Sequence, residues 1–292
     1  QIFYTICGST AVETALKICI AYHKARGHGQ RFRFVGRERA YHGMNIGATS
    51  VGGMINNVKT FANILMPGVV HMRHTHLPEH KFVKGQPETG AELANDLERI
   101  AVNFGSENIA ACIVEPISGS TGTLVPPKGY LNRLREICDK HDILLIFDEV
   151  ITGWGRTGSA FAAQEYGVTP DLMTMAKATT NGIVPMGVVA VKEEIYDTIV
   201  NASSDGVIEL FHGYTYSGIP VAVAAALAVQ DIFEKEDIFN RAKNLSSYFL
   251  EGLFSLKDID CVENIRGYGM MGGIDIRKSE RPGKAGFLTY KK

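Results

Sequence analysis

No two cysteines in this 292-residue chain stand at C-x-x-C spacing. The five present, Cys7, Cys19, Cys112, Cys138 and Cys261, are scattered. That argues against a disulfide framework or a zinc site and fits free thiols in a reducing, cytoplasmic compartment. Net charge is nearly absent as well, at -1, so nothing in the balance draws the chain toward nucleic acid or an anionic membrane. No apolar stretch reaches the roughly 18 residues that span a bilayer; the longest, 219–229, is alanine-rich and too short. No G-x-G-x-x-G follows a strand pattern, which disfavours a nicotinamide-binding Rossmann unit. Internal repeats, low-complexity segments and a signal peptide are missing too, and the chain opens without Met on Gln1-Ile2-Phe3-Tyr4, as though in mid-fold. The histidines His71, His74 and His76 lack helical i, i+4 pairing and a nearby cysteine, so the expectation there is a loop after a short strand rather than a metal site.

What is present is ordinary in bulk and ordered in detail. An apolar content of 45% and a charged content of 21% suit a globular protein, and the length suggests one large domain plus part of another. Strand patterns at 2–5, 31–35, 69–72, 109–114, 143–147, 172–176 and 188–191 alternate with helical periodicity at 11–26, 91–103, 131–141 and 160–166. Between 49 and 80 only the short strand stands out from a loop-like excursion. This alternation predicts an α/β domain with a mostly parallel sheet. From Gly218 the character changes. Residues 220–233 form an alanine- and valine-rich helix with no polar face until its end, expected to be buried between layers. An amphipathic helix over 236–255 and strands at 262–265 and 271–276 follow. The expected division is a large domain over 1–236 and the beginning of a smaller α+β domain over 237–292.

Two of the strand patterns end in charges that an apolar run should not carry. Ile143-Leu144-Leu145-Ile146-Phe147 leads into Asp148, and Leu172-Met173-Thr174-Met175-Ala176 leads into Lys177. In open α/β sheets ligands sit beyond the carboxyl ends of the strands, so this acid and this amine could face one ligand. A buried salt bridge, or two unrelated charges, is the alternative these two residues leave open. Gly8-Ser9-Thr10 lies where a strand passes into a helix, and suits either a phosphate or an ordinary N-cap by Ser9 or Thr10. Tyr41, before His42-Gly43, offers a ring to stack on a flat ligand. Glu115 puts another carboxylate at a strand end, and Thr215 is a hydroxyl in a glycine-bounded loop before a helix. Together the pieces supply a phosphate cradle, an aromatic platform, an acid for a ring nitrogen and a lysine for an aldehyde, which are the parts a pyridoxal phosphate site requires.

These residues stand in an order that resembles the class III aminotransferases, pyridoxal-phosphate enzymes of fold type I. Phe147-Asp148-Glu149-Val150, Gly153-Trp154-Gly155-Arg156-Thr157-Gly158, Pro170-Asp171 and Ala176-Lys177 match the family signature in sequence and spacing. The resemblance implies that Lys177 is the Schiff-base lysine and moves the substrate proton. It implies further that Gly8 and Ser9 bind the cofactor phosphate, that Tyr41 and Val150 cover the two ring faces, and that Asp148 partners the ring nitrogen. Glu115 matches a carboxylate near the site, and Thr215 a phosphate ligand given to the neighbouring subunit, which implies a homodimer with shared sites.

Departures from the pattern narrow the reading. Ser120 and Ile151 stand where relatives acting on ornithine or γ-aminobutyrate carry Glu and Gln, and both features resemble the ω-amino acid:pyruvate type. Thr10 and Ile219 replace an acidic residue and a His without removing a cofactor contact. The resemblance also implies that the chain is a fragment, lacking an N-terminal segment and a C-terminal domain with an arginine for the α-carboxylate; Arg266 is expected to order a turn instead. The function expected is transfer of an amino group from an ω-amino acid or amine to pyruvate or a similar keto acid. A racemase, aminomutase or decarboxylase on the same cofactor, and a non-catalytic protein, are the other readings.

Overall fold

The computed structural model describes residues 1–277. Its elements, in chain order, are β1 (Ile2–Thr5), α1 (Gly8–Ala25), β2 (Arg33–Arg37), α2 (Ile46–Val51), α3 (Ile55–Phe61), β3 (Val69–Met72), α4 (Asn95–Phe104), β4 (Ile109–Val114), α5 (Tyr130–Lys140), β5 (Leu144–Asp148) and α6 (Ala162–Glu165). They continue with β6 (Leu172–Met175), β7 (Gly187–Val191), α7 (Glu193–Asn201), α8 (Pro220–Lys235), α9 (Ile238–Phe254), β8 (Val262–Tyr268) and β9 (Met271–Ile276). Seven strands form one sheet in the order β1-β7-β6-β5-β4-β2-β3. Only β7 runs against its neighbours. The expected mostly parallel α/β sheet is therefore the observed one.

Every residue of β4 and β5 is buried, as continuous apolar runs in a two-sided parallel sheet must be. Their side chains alternate between two cores. Cys112, Val114, Leu145 and Phe147 pack with Leu97 and Ile100 of α4 and Leu134 and Ile137 of α5. Ala111, Ile113, Leu144 and Ile146 pack with Val12, Ala15, Leu16 and Cys19 of α1 on the other face. Because β1, β2, β4, β5 and β6 share one direction, their carboxyl ends meet at one edge of the sheet, where Cys7-Gly8, Tyr41, Glu115, Asp148 and Lys177 follow.

The structure corrects several boundaries. Strand β2 begins two residues later than expected, because Arg31 is used as an anchor: its guanidinium donates to the carbonyls of Ser106, Ile109 and Asp142. The excursion after Ala40 contains α2 and α3, whose six and seven residues are too few to show a helical period. Helix α7 follows β7 with Glu193 and Glu194 in its first turn.

The largest correction concerns α8. An apolar helix without a polar stripe is expected to be covered all round, yet among the described residues only one face is. Ala222 and Ala226 pack under Met175, Met186 and Val188, while Val221, Leu227 and Ile232 are exposed. Alternating small and branched apolar residues carry no sign of which face meets the sheet.

Strands β8 and β9 form a separate antiparallel pair. Arg266 ties it to the rest: its Nη atoms hold Asp275 at 2.6 and 2.8 Å, and its Nε donates to the Gly122 carbonyl. The final residues of the expected 237–292 unit, 278–292, lie outside the described residues.

The chain's one tryptophan, Trp154, is stacked on Phe233 of α8 and meets Phe161 edge-on. Its Nε1–H donates to Thr179 Oγ1 at 3.1 Å, which ties α8 to the turn that begins at Lys177.

Candidate active site

A cleft of about 340 Å³ opens at the carboxyl edge of the sheet, lined by Gly8, Ser9, Tyr41, Glu115, Asp148, Val150 and Lys177 among others. Seven of the residues singled out from sequence are thus brought together. The eighth, Thr215, is not among its lining residues; it lies on the exposed 213–218 loop.

The first turn of α1 forms one wall. Its N-cap is Cys7 rather than Ser9 or Thr10. The Thr10 hydroxyl bonds back to the cap, accepting from the Cys7 N–H at 3.0 Å and donating to the Cys7 carbonyl at 2.8 Å. The first helical N–H to be paired is that of Ala11. The N–H groups of Gly8, Ser9 and Thr10 therefore remain without backbone partners at the positive end of an 18-residue helix, an arrangement suited to an anion. Ser9 Oγ accepts the Met44 N–H at 3.2 Å, which draws the Tyr41–Met44 loop onto this turn. Gly43 lies so close that an added Cβ would sit 2.8 Å from Ser9 Cα.

Asp148 closes β5, and each of its oxygens is spoken for. His42 Nδ1 lies 2.8 Å from Oδ2, while the Val150 N–H and the Thr174 hydroxyl each donate to Oδ1 at 3.1 Å. Both members of the His42–Asp148 pair are buried. His42 and Thr174 were missed as functional residues in the sequence. The signal for His42 is its place directly after Tyr41; Thr174 could be found as a hydroxyl inside an apolar strand.

Glu115, also buried, accepts the N–H of Tyr41 on one oxygen and that of Gly119 on the other, both at 2.9 Å. Burial pushes its carboxyl above the usual range and Asp148 adds to this, while His42 and the two N–H groups oppose it. Glu115 thereby holds the Tyr41 loop in place. Glu149, one residue after Asp148, points away and caps α6 by accepting the N–H groups of Ala162 and Ala163. Asp171 of the signature is structural in its contacts as well: it pairs with Arg135 and Lys192 and accepts the Leu145 N–H.

Lys177 stands on a left-handed backbone with φ of +47°. Its side chain reaches solvent through the cleft but is otherwise surrounded by protein. That desolvation lowers its pKa from the ordinary lysine value, while Asp148 and Glu115 act in the opposite sense.

These residues fit pyridoxal phosphate by the chemistry of the donor set: open helix N–H groups for a phosphate, a fixed buried acid for a ring nitrogen, and an amine with a lowered pKa for an aldehyde. Gly8 also leaves room that a Cβ, 3.2 Å from the Val150 methyls, would fill.

The sequence profile of the family Aminotransferase class-III matches residues 1–289. The chain is 54% identical over 284 residues to the omega-aminotransferase of Caulobacter vibrioides, covering 97% of this chain and 64% of that protein. It is 46% identical over 297 residues to the beta-alanine–pyruvate aminotransferase of Pseudomonas aeruginosa, covering 99% and 66%. Among solved structures, an (S)-enantioselective omega-transaminase from Thermomicrobium roseum superposes with a TM-score of 0.88 at 38% identity, over 96% of this chain and 61% of that one. An amine transaminase from an uncultivated Pseudomonas species in its PLP-bound form gives the same TM-score at 37% identity, over 96% and 63%. The chain thus spans about two thirds of the length of the curated relatives it matches.

Proposed function

This chain belongs to the class-III aminotransferases, a pyridoxal-phosphate-dependent family, and from that premise we propose that it moves an amino group from an ω-amino acid or amine to pyruvate or a similar keto acid. The observation that carries the reading is the meeting of Asp148 and Lys177, from adjacent strand ends, in one cleft under the open N-terminus of α1.

Pyridoxal phosphate, when bound, supplies an aldehyde that takes the amino group and a protonated ring that accepts electrons from the substrate carbon. The N–H groups of Gly8 and Ser9 bind its phosphate, with Thr215 of a second copy as a further ligand. Tyr41 and Val150 hold the ring between them. Asp148 keeps the ring nitrogen protonated, because opposite charges stabilise each other's ionised forms, and His42 and Thr174 stop its carboxylate from turning. Lys177 Nζ would take the proton from the substrate carbon and pass it to the former aldehyde carbon of the cofactor within the same half-reaction; its lowered pKa favours the neutral amine this requires. Two such half-reactions give ping-pong kinetics.

The same reading divides the chain into a cofactor-binding part, 1–236, and the beginning of a smaller part, 237–292. It also makes the protein a homodimer. The exposed 204–218 loop supports this, with Phe211 91% and Tyr216 71% exposed beside Thr215. The buried thiols Cys19, Cys112 and Cys138 support a reducing, cytoplasmic setting.

The test uses full-length protein loaded with pyridoxal phosphate. Incubation with β-alanine and pyruvate yields alanine, and Lys177→Ala abolishes both the turnover and the visible band of the lysine-linked cofactor. A protein that shows that band but forms no alanine with any amine or amino acid donor performs another reaction of the family, and the proposal fails.

A further inference from the structure

Trp154 and Lys177 both stand on left-handed backbone, at φ of 60° and 47°. A bulky side chain rarely accepts that conformation, and residues held in it gather where the surrounding structure fixes a functional group. Here the two strained positions are joined by one chain of hydrogen bonds. The Trp154 Nε1–H donates to Thr179 Oγ1 at 3.1 Å, and the Thr179 hydroxyl donates to the Ala176 carbonyl, also at 3.1 Å. Chemistry fixes the direction. An indole N–H can only donate, so the buried hydroxyl accepts from it and keeps its proton for the carbonyl.

Both ends of this chain are anchored. The Trp154 backbone N–H donates to the Ala160 carbonyl at 2.6 Å. Its ring is stacked on Phe233 with centroids 5.7 Å apart, and Phe161 meets it edge-on at 5.1 Å. With apolar partners on its face and at its edge, the indole keeps its N–H aimed one way. At the other end the Ala176 carbonyl accepts the Thr179 N–H as well, at 3.0 Å. That carbonyl belongs to the peptide that carries Lys177, whose side chain lines the cleft.

We infer that Trp154, acting through Thr179, is a positioning residue for Lys177: the relay fixes the Ala176–Lys177 peptide and with it the line along which the amine meets the cofactor's aldehyde. Linked hydrogen bonds strengthen one another, and a reacting atom displaced by about 1 Å can lose rate by orders of magnitude. Phenylalanine would fill much of the same apolar space without the N–H, so the relay, rather than the packing, is what calls for tryptophan here. The inference rests on the aminotransferase reading in one respect, that pyridoxal phosphate is the ligand of Lys177.

The experiment follows cofactor loading, in which Lys177 Nζ bonds to the aldehyde carbon of pyridoxal phosphate and one water leaves. Full-length, cofactor-free protein is mixed with pyridoxal phosphate, and the visible band of the lysine-linked form is timed across pH with no donor or keto acid present. Trp154→Phe lowers the plateau rate about fivefold, the effect of one hydrogen bond, and leaves the pH at which the rate levels off unchanged. Thr179→Val does the same. Thr179→Ser stays within about twofold of wild type, and Trp154→Phe combined with Thr179→Val is no slower than Thr179→Val alone, because both remove the same chain. A merely structural role moves the urea midpoint and leaves loading of the folded protein untouched. Wild-type loading by Trp154→Phe, single effects that multiply in the double variant, or a shifted levelling pH overturns the inference. If Trp154→Phe does not fold, Thr179→Val against Thr179→Ser decides: equal loading by the two removes the relay. Alanine formation separates the two readings. A wild type that loads cofactor and shows these ratios but forms no alanine with any donor keeps the relay and loses the transaminase proposal; a transaminase whose variants load normally does the reverse.

Discussion

Lys177 combines two costs that a surface lysine avoids. A non-glycine residue in the left-handed region is held there at about 1 kcal/mol or more, and the surrounding protein penalises its charge. Both are explained by an amine that must be neutral and aimed at one point. The lowered pKa has a definite sign in stability. An unfolded lysine keeps its proton up to its ordinary value of 10.5, and the folded one gives it up earlier. Between those two values the unfolded state holds more protons, so the cofactor-free protein becomes more stable as pH rises through that window. Urea melts at stepped pH check this, and Lys177→Met is expected to flatten the rise. The rate of cofactor loading depends on the neutral amine, so it climbs with pH and levels off below 10.5; a plateau at or above that value contradicts the lowered pKa. Asp148 and Lys177 were legible in the sequence because a charge ending an apolar run is conspicuous. His42 was not, because its importance lies in a partner 106 positions away, and no local pattern encodes that pairing.

At the scale of elements, the site depends on how closely the Tyr41–Met44 loop approaches the first turn of α1. Gly43, with φ of +116°, sits against Ser9. Gly43→Ala meets that backbone as well as the unfavourable φ, and is expected to destabilise the cofactor-free protein by about 1–3 kcal/mol and to weaken cofactor binding. Gly27 provides the comparison. It has φ of +80° and nothing near its missing Cβ, so Gly27→Ala carries the φ cost alone, about 1 kcal/mol, with cofactor affinity unchanged. Denaturant melts and cofactor titration of the two variants test this pair; equal affinity in both would sever the loop from the site. The long elements were readable for a physical reason: β4 and β5 are buried on both faces, and α4 and α5 each show one apolar stripe. Helix α2 owes its existence to packing, with Gly47 to Val51 buried, whereas α3 buries none of its residues and both are too short to show a period. Helix α8 misled because uniform apolarity carries no direction.

At the scale of the whole molecule, one group of the exposed apolar side chains among the described residues lies on the 204–218 loop and α8: Phe211, Tyr216, Val221, Leu227 and Ile232. A shared-site homodimer puts such residues to use, with Thr215 among them. Sedimentation of the full-length protein is expected to give a dimer, and Phe211→Asp to shift it toward monomer while lowering cofactor affinity, since in the proposed dimer Thr215 serves the other copy. Dissociation with unchanged affinity would refute the sharing. Trp154 stands at the junction of these scales, one hydrogen bond from the turn that Lys177 opens and stacked against α8. Because this chain has no other indole, emission excited selectively at tryptophan, beyond the absorption of its tyrosines, originates within it at a single address. The protein carries its own optical probe, placed where filling of the cleft and settling of the long helix are both felt.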